Sequence, residues 1–145
     1  MKKYLLFVLV ACCSLKCVAQ GVSVEKLKNG VWNRKVTSPT EKSFRSFTDS
    51  IEIATYAECT TGKWLSATSY MPYYLSEIEP KEFDYSKVGS NSSGKYLVRW
   101  NDKMNKILTM EIDFLSDIVF LLKNKWVEWR FTRQKSIADS VLISK

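Results

Sequence analysis

Histidine is missing altogether from this 145-residue chain. Its absence excludes Ser-His-Asp and Cys-His catalysis and removes the commonest zinc ligand. Cysteine is scarce in an uneven way. Cys12, Cys13 and Cys17 crowd the first seventeen residues, and only Cys59 lies beyond them. A domain with one cysteine forms no internal disulfide, so its stability must come from an ordinary core. Long apolar runs are lacking except from Tyr4 to Leu15, and no other run has the length a bilayer span requires. There are only five glycines and three prolines, and with 13% aromatic residues this is the composition of a folded domain rather than a disordered tail.

Charge of one sign is not concentrated anywhere. The formal charge is +7, and setting aside Lys2, Lys3 and Lys16 leaves 19 basic residues against 15 acidic ones. The two signs interleave from Glu41 to Glu128, whereas a nucleic-acid surface gathers basic residues into a stripe. No nucleic-acid partner is expected. The densest basic group, Lys123, Lys125, Arg130, Arg133 and Lys135, reads as solvated strand edges and turns.

The N-terminus reads as an export signal. Lys2 and Lys3 form a positive start, Tyr4 to Leu15 the apolar region, and Cys17-Val18-Ala19 supplies small residues before a cut at Gln20. Residues 1–19 are therefore expected to be a signal peptide and 20–145 a single exported domain, periplasmic or secreted. An alternative is a lipoprotein signal over 1–11. Leu9-Val10-Ala11-Cys12 resembles a lipobox, which makes Cys12 the candidate for lipidation and a lipid anchor the sole route to a membrane. Roughly 125 mature residues suffice for one core and not for two domains of normal size.

Period-two alternation is clearest in the C-terminal half. Gly94 to Trp100 reads as a strand with Tyr96, Val98 and Trp100 on one face. From Lys106 the alternation of Leu108, Met110, Ile112 and Phe114 against Thr109, Glu111 and Asp113 gives a strand with one dry face. Ile118 to Leu122 and Trp126 to Arg133 follow after short turns, and such connections demand an antiparallel meander. Upstream, Val31 to Thr37, Lys42 to Phe47, Ser50 to Cys59 and Trp64 to Tyr70 complete a set of about eight strands. Ile51, Ile53, Ala57 and Cys59 are expected to share the core face of theirs, and Thr60-Thr61-Gly62-Lys63 to form a hairpin loop. Residues 71–93, with two prolines and a Ser/Asn/Gly tail, are expected to be a long loop or to hold a short helix around Leu75 to Glu79. Ser136 to Ile143 is expected to form a short C-terminal helix.

Gly30-Val31-Trp32 near the mature start, the meander, and the arginines of "WVEWRFTR" together resemble the lipocalin-like, calycin-type families of small exported bacterial barrels. The resemblance implies an all-β, single antiparallel up-and-down β-barrel of about eight strands. Gly30 would let the chain leave a short helix, Trp32 would plug the closed end, and an arginine of the last strand would lie over the indole. Arg130 and Arg133 both qualify; Arg133 is favoured because it shares a face with Trp129 and Phe131. An α+β cystatin-like fold is the alternative.

Such a barrel would be a non-enzymatic binding protein holding a small apolar or amphipathic ligand. Trp64, Tyr70, Tyr73, Tyr74 and Trp100 are the candidate lining residues, because amphipathic aromatics suit a pocket mouth. No catalytic residue, cofactor or metal is expected. Glu77, Glu79, Glu82 and Asp84 lack the spacing of a calcium loop and read as a solvated acidic loop. Cys59 reads as a small buried hydrophobe. The alternative function is an envelope protein-protein interaction module with a filled core and the aromatic 71–85 segment as its contact surface.

Overall fold

The computed structural model describes residues 22–90 and 93–134. The signal peptide expected over 1–19, with Cys12, and the helix expected over 136–143 lie outside the described residues. The first described element is a two-residue strand β1 (Val22–Ser23), followed by a short helix α1 (Val24–Lys28) and then β2 (Val31–Arg34). Then come β3 (Glu41–Phe47), β4 (Ile51–Thr60), β5 (Lys63–Ser76), a 3-10 turn at Tyr85–Lys87, β6 (Ser93–Gly94), β7 (Tyr96–Asn101), β8 (Lys106–Leu115), β9 (Val119–Lys123) and β10 (Glu128–Gln134). Eight of these close into one antiparallel barrel in the order β10-β2-β3-β4-β5-β7-β8-β9. The all-β barrel expectation holds. Pairing of β10 with β2 leaves no open edge in that sheet, which is how a small sheet protects its unpaired backbone groups.

The turns follow from local chemistry. Thr61 and Gly62 both have positive φ, 52° and 79°, as the two-residue type I′ loop between β4 and β5 demands. Asn124 caps the turn before β10, its side-chain oxygen accepting from the N–H groups of Trp126 and Val127 at 2.8 and 3.0 Å. Trp126 therefore belongs to a turn, not to the last strand, and is 79% exposed.

The 71–93 segment is the main correction. Met71 to Ser76 is strand, not loop or helix, and makes β5 fourteen residues long. β5 pairs with β4 from Lys63 to Pro72 and with β7 from Tyr73 to Ser76, so Pro72 sits where the strand changes partners. A missing N–H does least harm at such a place, because no ladder on that side has yet begun. What remains, residues 77–90, lies across the outside of β5 and β7. Phe83 packs on Tyr74, Tyr85 and Trp100 at centroid separations of 5.2, 4.8 and 5.9 Å. Asp84 starts the 3-10 turn by accepting from the Ser86 N–H at 3.0 Å. Hydrogen bonds from Ser86 hold its carboxyl below the usual carboxylate range.

The apolar core fills one end of the barrel. Val24 and Leu27 of α1 cap it, and Trp32, Phe47, Tyr73, Leu75, Leu97 and Phe120 pack beneath, all essentially without exposure. A register shift between Ile112 and Phe114 flips the alternation of β8, so Phe114 leaves the dry face and is 52% exposed.

At Gly94 two backbones nearly touch. A Cβ there would meet the Ser76 backbone N at 2.5 Å. Gly94→Ala should therefore destabilise the protein by about 1–3 kcal/mol, the usual cost of overpacking, as read from urea denaturation. An unchanged midpoint would show that the crossing is loose.

Candidate functional site

Three layers stack along the barrel axis. At the closed end Trp32 is fully buried and its Nε1–H donates to the Leu27 carbonyl at 2.9 Å. The Arg133 guanidinium lies over the ring, 4.7 Å from its centroid, and Nη2 donates to the Lys26 carbonyl at 3.0 Å. Arg130 points outward and is exposed, as its place three residues from Arg133, an odd number along the strand, requires. Gly30 has φ +114°, and a Cβ would meet the Gln134 carbonyl at 3.2 Å and Arg133 Cγ at 3.3 Å. So the glycine gives the chain its left-handed exit from α1 and lets Arg133 in close.

The middle layer is charged. Glu52, fully buried, faces inward from β4. Arg45 Nε of β3 stands 2.8 Å from its Oε1 in an ion pair whose angle misses that of a hydrogen bond. Arg99 Nη1 of β7 donates to Oε2 at 3.3 Å, and Arg99 is itself 2% exposed. A third guanidinium, Arg34 of β2, sits 5.1 Å from the Trp129 ring, and Arg99 approaches the same ring at 5.9 Å. Burial lowers the pKa of Arg45; Glu52 opposes that, while Arg99 and Arg34 add to it.

Above this layer the barrel is open. A cavity of about 430 Å³ is walled by Arg34, Ser43, Arg45, Ala54, Tyr56, Ala67 and Ser69, with Asn101 at the end of β7 and Lys103 and Met104 of the β7–β8 turn at its mouth. Small residues at Ala54, Ala67 and Ser69 are what leave the space. Tyr56 stands near the rim; burial raises its hydroxyl pKa, and the carboxylates of Glu41 and Glu58 raise it further. A larger groove, about 590 Å³, runs along the outside between Glu79, Glu111, Lys123 and Trp126, but its walls are surface side chains tied in exposed ion pairs such as Lys95–Glu111 at 3.0 Å.

None of the five expected lining residues enters the cavity. Trp64 and Tyr70 lie on the outer face, opposite Cys59 and Ile53; Trp64 stacks under Lys42 at 4.5 Å, and Tyr70 is 66% exposed. Tyr73 does face inward, but it is packed into the closed end with its hydroxyl donating to the Thr48 carbonyl at 2.7 Å. Tyr74 and Trp100 point outward beneath the 77–90 segment. The error is one of parity. Adjacent strand residues face opposite sides, and on β4 and β7 the more polar side is the inner one. Glu52, Ala54 and Tyr56 face inward, while Ile51 and Ile53, expected in the core, face out. Cys59 is half-buried on that outer face rather than in the core. The signal that could have found the site was a charge between apolar neighbours in a strand, Glu52 between Ile51 and Ile53 and Arg99 between Val98 and Trp100; Arg34 and Arg45, not flanked by apolar residues on both sides, carry no such signal.

The chain matches no protein-family model, and no curated protein or solved structure matches it either. Among the described residues no group of three or more carboxylate or cysteine side chains is placed to hold a metal ion.

Equilibrium unfolding tests both layers. Arg133→Ala should cost about 1–3 kcal/mol through the lost ring contact and hydrogen bond, whereas Arg130→Ala should stay within about 0.5 kcal/mol. Glu52→Gln, which strands two buried guanidiniums, should cost about 3–5 kcal/mol. Combining it with Arg99→Gln should cost less than the two changes summed, since the second cation no longer needs its partner.

Proposed function

We propose that this protein is an exported, non-enzymatic, lipocalin-like binding protein that holds a small amphipathic ligand in the open end of its barrel. The cavity walled by Arg34, Ser43, Arg45, Ala54, Tyr56, Ala67 and Ser69 carries this reading. About 430 Å³ lies within the range of small-molecule sites, and an eight-stranded barrel is of a size to take one such molecule. Trp32 under Arg133, with Gly30 at the entry of β2, supports the lipocalin-like part of the reading. Catalysis does not enter it, and no cofactor is invoked. The filled-core interaction module draws little support from its expected contact surface, because Tyr74 and Phe83 of that segment pack on each other against the barrel wall.

The test is to fill the space. Ala67→Trp should abolish binding of N-phenyl-1-naphthylamine, a neutral apolar fluorophore, while leaving the melting temperature within a few degrees. Saturable one-to-one fluorescence enhancement in the unmodified protein, weakened by about tenfold or more in the variant, is the expected result. Equal titrations in both proteins would place the probe outside the barrel and overturn the proposal.

A further inference from the structure

The cavity has a charge imbalance that a purely apolar ligand leaves unanswered. Beneath it Glu52, the one buried carboxylate among the described residues, pairs with Arg45 and Arg99, while a third guanidinium, Arg34, lines the cavity over the Trp129 ring. Near the floor this leaves two positive charges in excess, and the next carboxylates, Glu41 and Glu58, lie farther out beside Tyr56. Arg99 and Arg45 both lean on Glu52, so that single carboxylate is already shared. Arg34 has no carboxylate partner among the described residues; its Nε is buried without an acceptor, and its cation rests on the Trp129 ring alone. Desolvated cations are costly unless an anion or hydrogen-bond acceptors meet them. Arg34 and Arg45 both line the open cavity, so an incoming group reaches them without disturbing the Arg99–Glu52 pair beneath.

We infer that the ligand is a small amphipathic carboxylate, its headgroup held by Arg34 and Arg45 and its apolar part lying against Ala54, Ala67 and Met104. This rests on the cavity reading above and adds the ligand's charge. A planar guanidinium fork matches the two oxygens of a carboxylate. Glu52 beside the headgroup, and Glu41 and Glu58 toward the rim, oppose the second charge of a phosphate monoester, so a monoanion suits the site better. Lys103 at the mouth adds a positive charge on the entry path.

Calorimetric titration of the protein with decanoate, decanol and decyl phosphate separates the outcomes. Decanoate should bind about tenfold or more tightly than decanol. Arg34→Gln should weaken decanoate by about tenfold and leave decanol unchanged, with Arg45→Gln as the second variant if the first fails to fold. Arg34→Lys, which keeps the charge and loses the fork, should fall between. If decanol binds as tightly as decanoate and Arg34→Gln alters neither, the anion inference falls while the cavity reading stands. If decyl phosphate binds more tightly than decanoate, the carboxylate assignment is wrong. If none of the three binds, and N-phenyl-1-naphthylamine ignores Ala67→Trp, both readings fail together.

Discussion

The Glu52 carboxylate, gripped from two sides by Arg45 and Arg99 in the middle of the barrel, is the interaction on which the rest of the architecture turns. It is fully buried, so it must keep its guanidinium partners or bear a large desolvation cost. Its place in the register, opposite Phe47 on β3 and Met71 on β5, sets it at the boundary between two unlike halves. Below it the interior is aromatic and aliphatic and closely packed. Above it small and polar side chains leave space. One ion pair thus marks both the roof of the core and the floor of the cavity.

The closed end is organised by a second cation, this time against a ring. Trp32 contributes a large apolar surface, a hydrogen bond to Leu27 and a face for Arg133, while Arg133 ties β10 back to the end of α1 at Lys26. The same residues join the two ends of the sheet, because Arg133 and Trp32 are cross-strand partners at the β10–β2 seam. Closure and capping are one device. The asymmetry that follows is a sealed end and an open polar end. The packed end supplies the stability, so the open end can do without a filled core.

How much of this was legible follows from what period two can and cannot say. Eight strands, short turns and the Thr61-Gly62 hairpin are local patterns, and the strands appear close to where the alternation puts them. Arg133 could be preferred over Arg130 because the two alternate on one strand, and the side shared with Trp129 and Phe131 had to be the inner one. The same logic failed on β4 and β7. There an inward Glu52 and an inward Arg99 neutralise each other across the barrel, 47 residues apart in sequence, and no local window holds both. Alternation was visible, but its sign was inverted, and of the aromatics assigned to the pocket Trp64, Tyr70, Tyr74 and Trp100 went to the outer wall and Tyr73 to the packed end.

The sequence alone determined that the chain is a β meander without histidine chemistry, with an N-terminal stretch patterned as an export signal and a Gly-x-Trp entry to its first long strand. These are composition and short-range pattern, written within a few residues. Tertiary structure alone decided which face of each strand looks inward, that Pro72 lies within a strand changing partners, and that Arg45 and Arg99 meet Glu52 while Arg34 and Arg99 share the Trp129 ring. Those depend on register and closure. They are set by the summed pairing of eight strands, and no single segment contains the information.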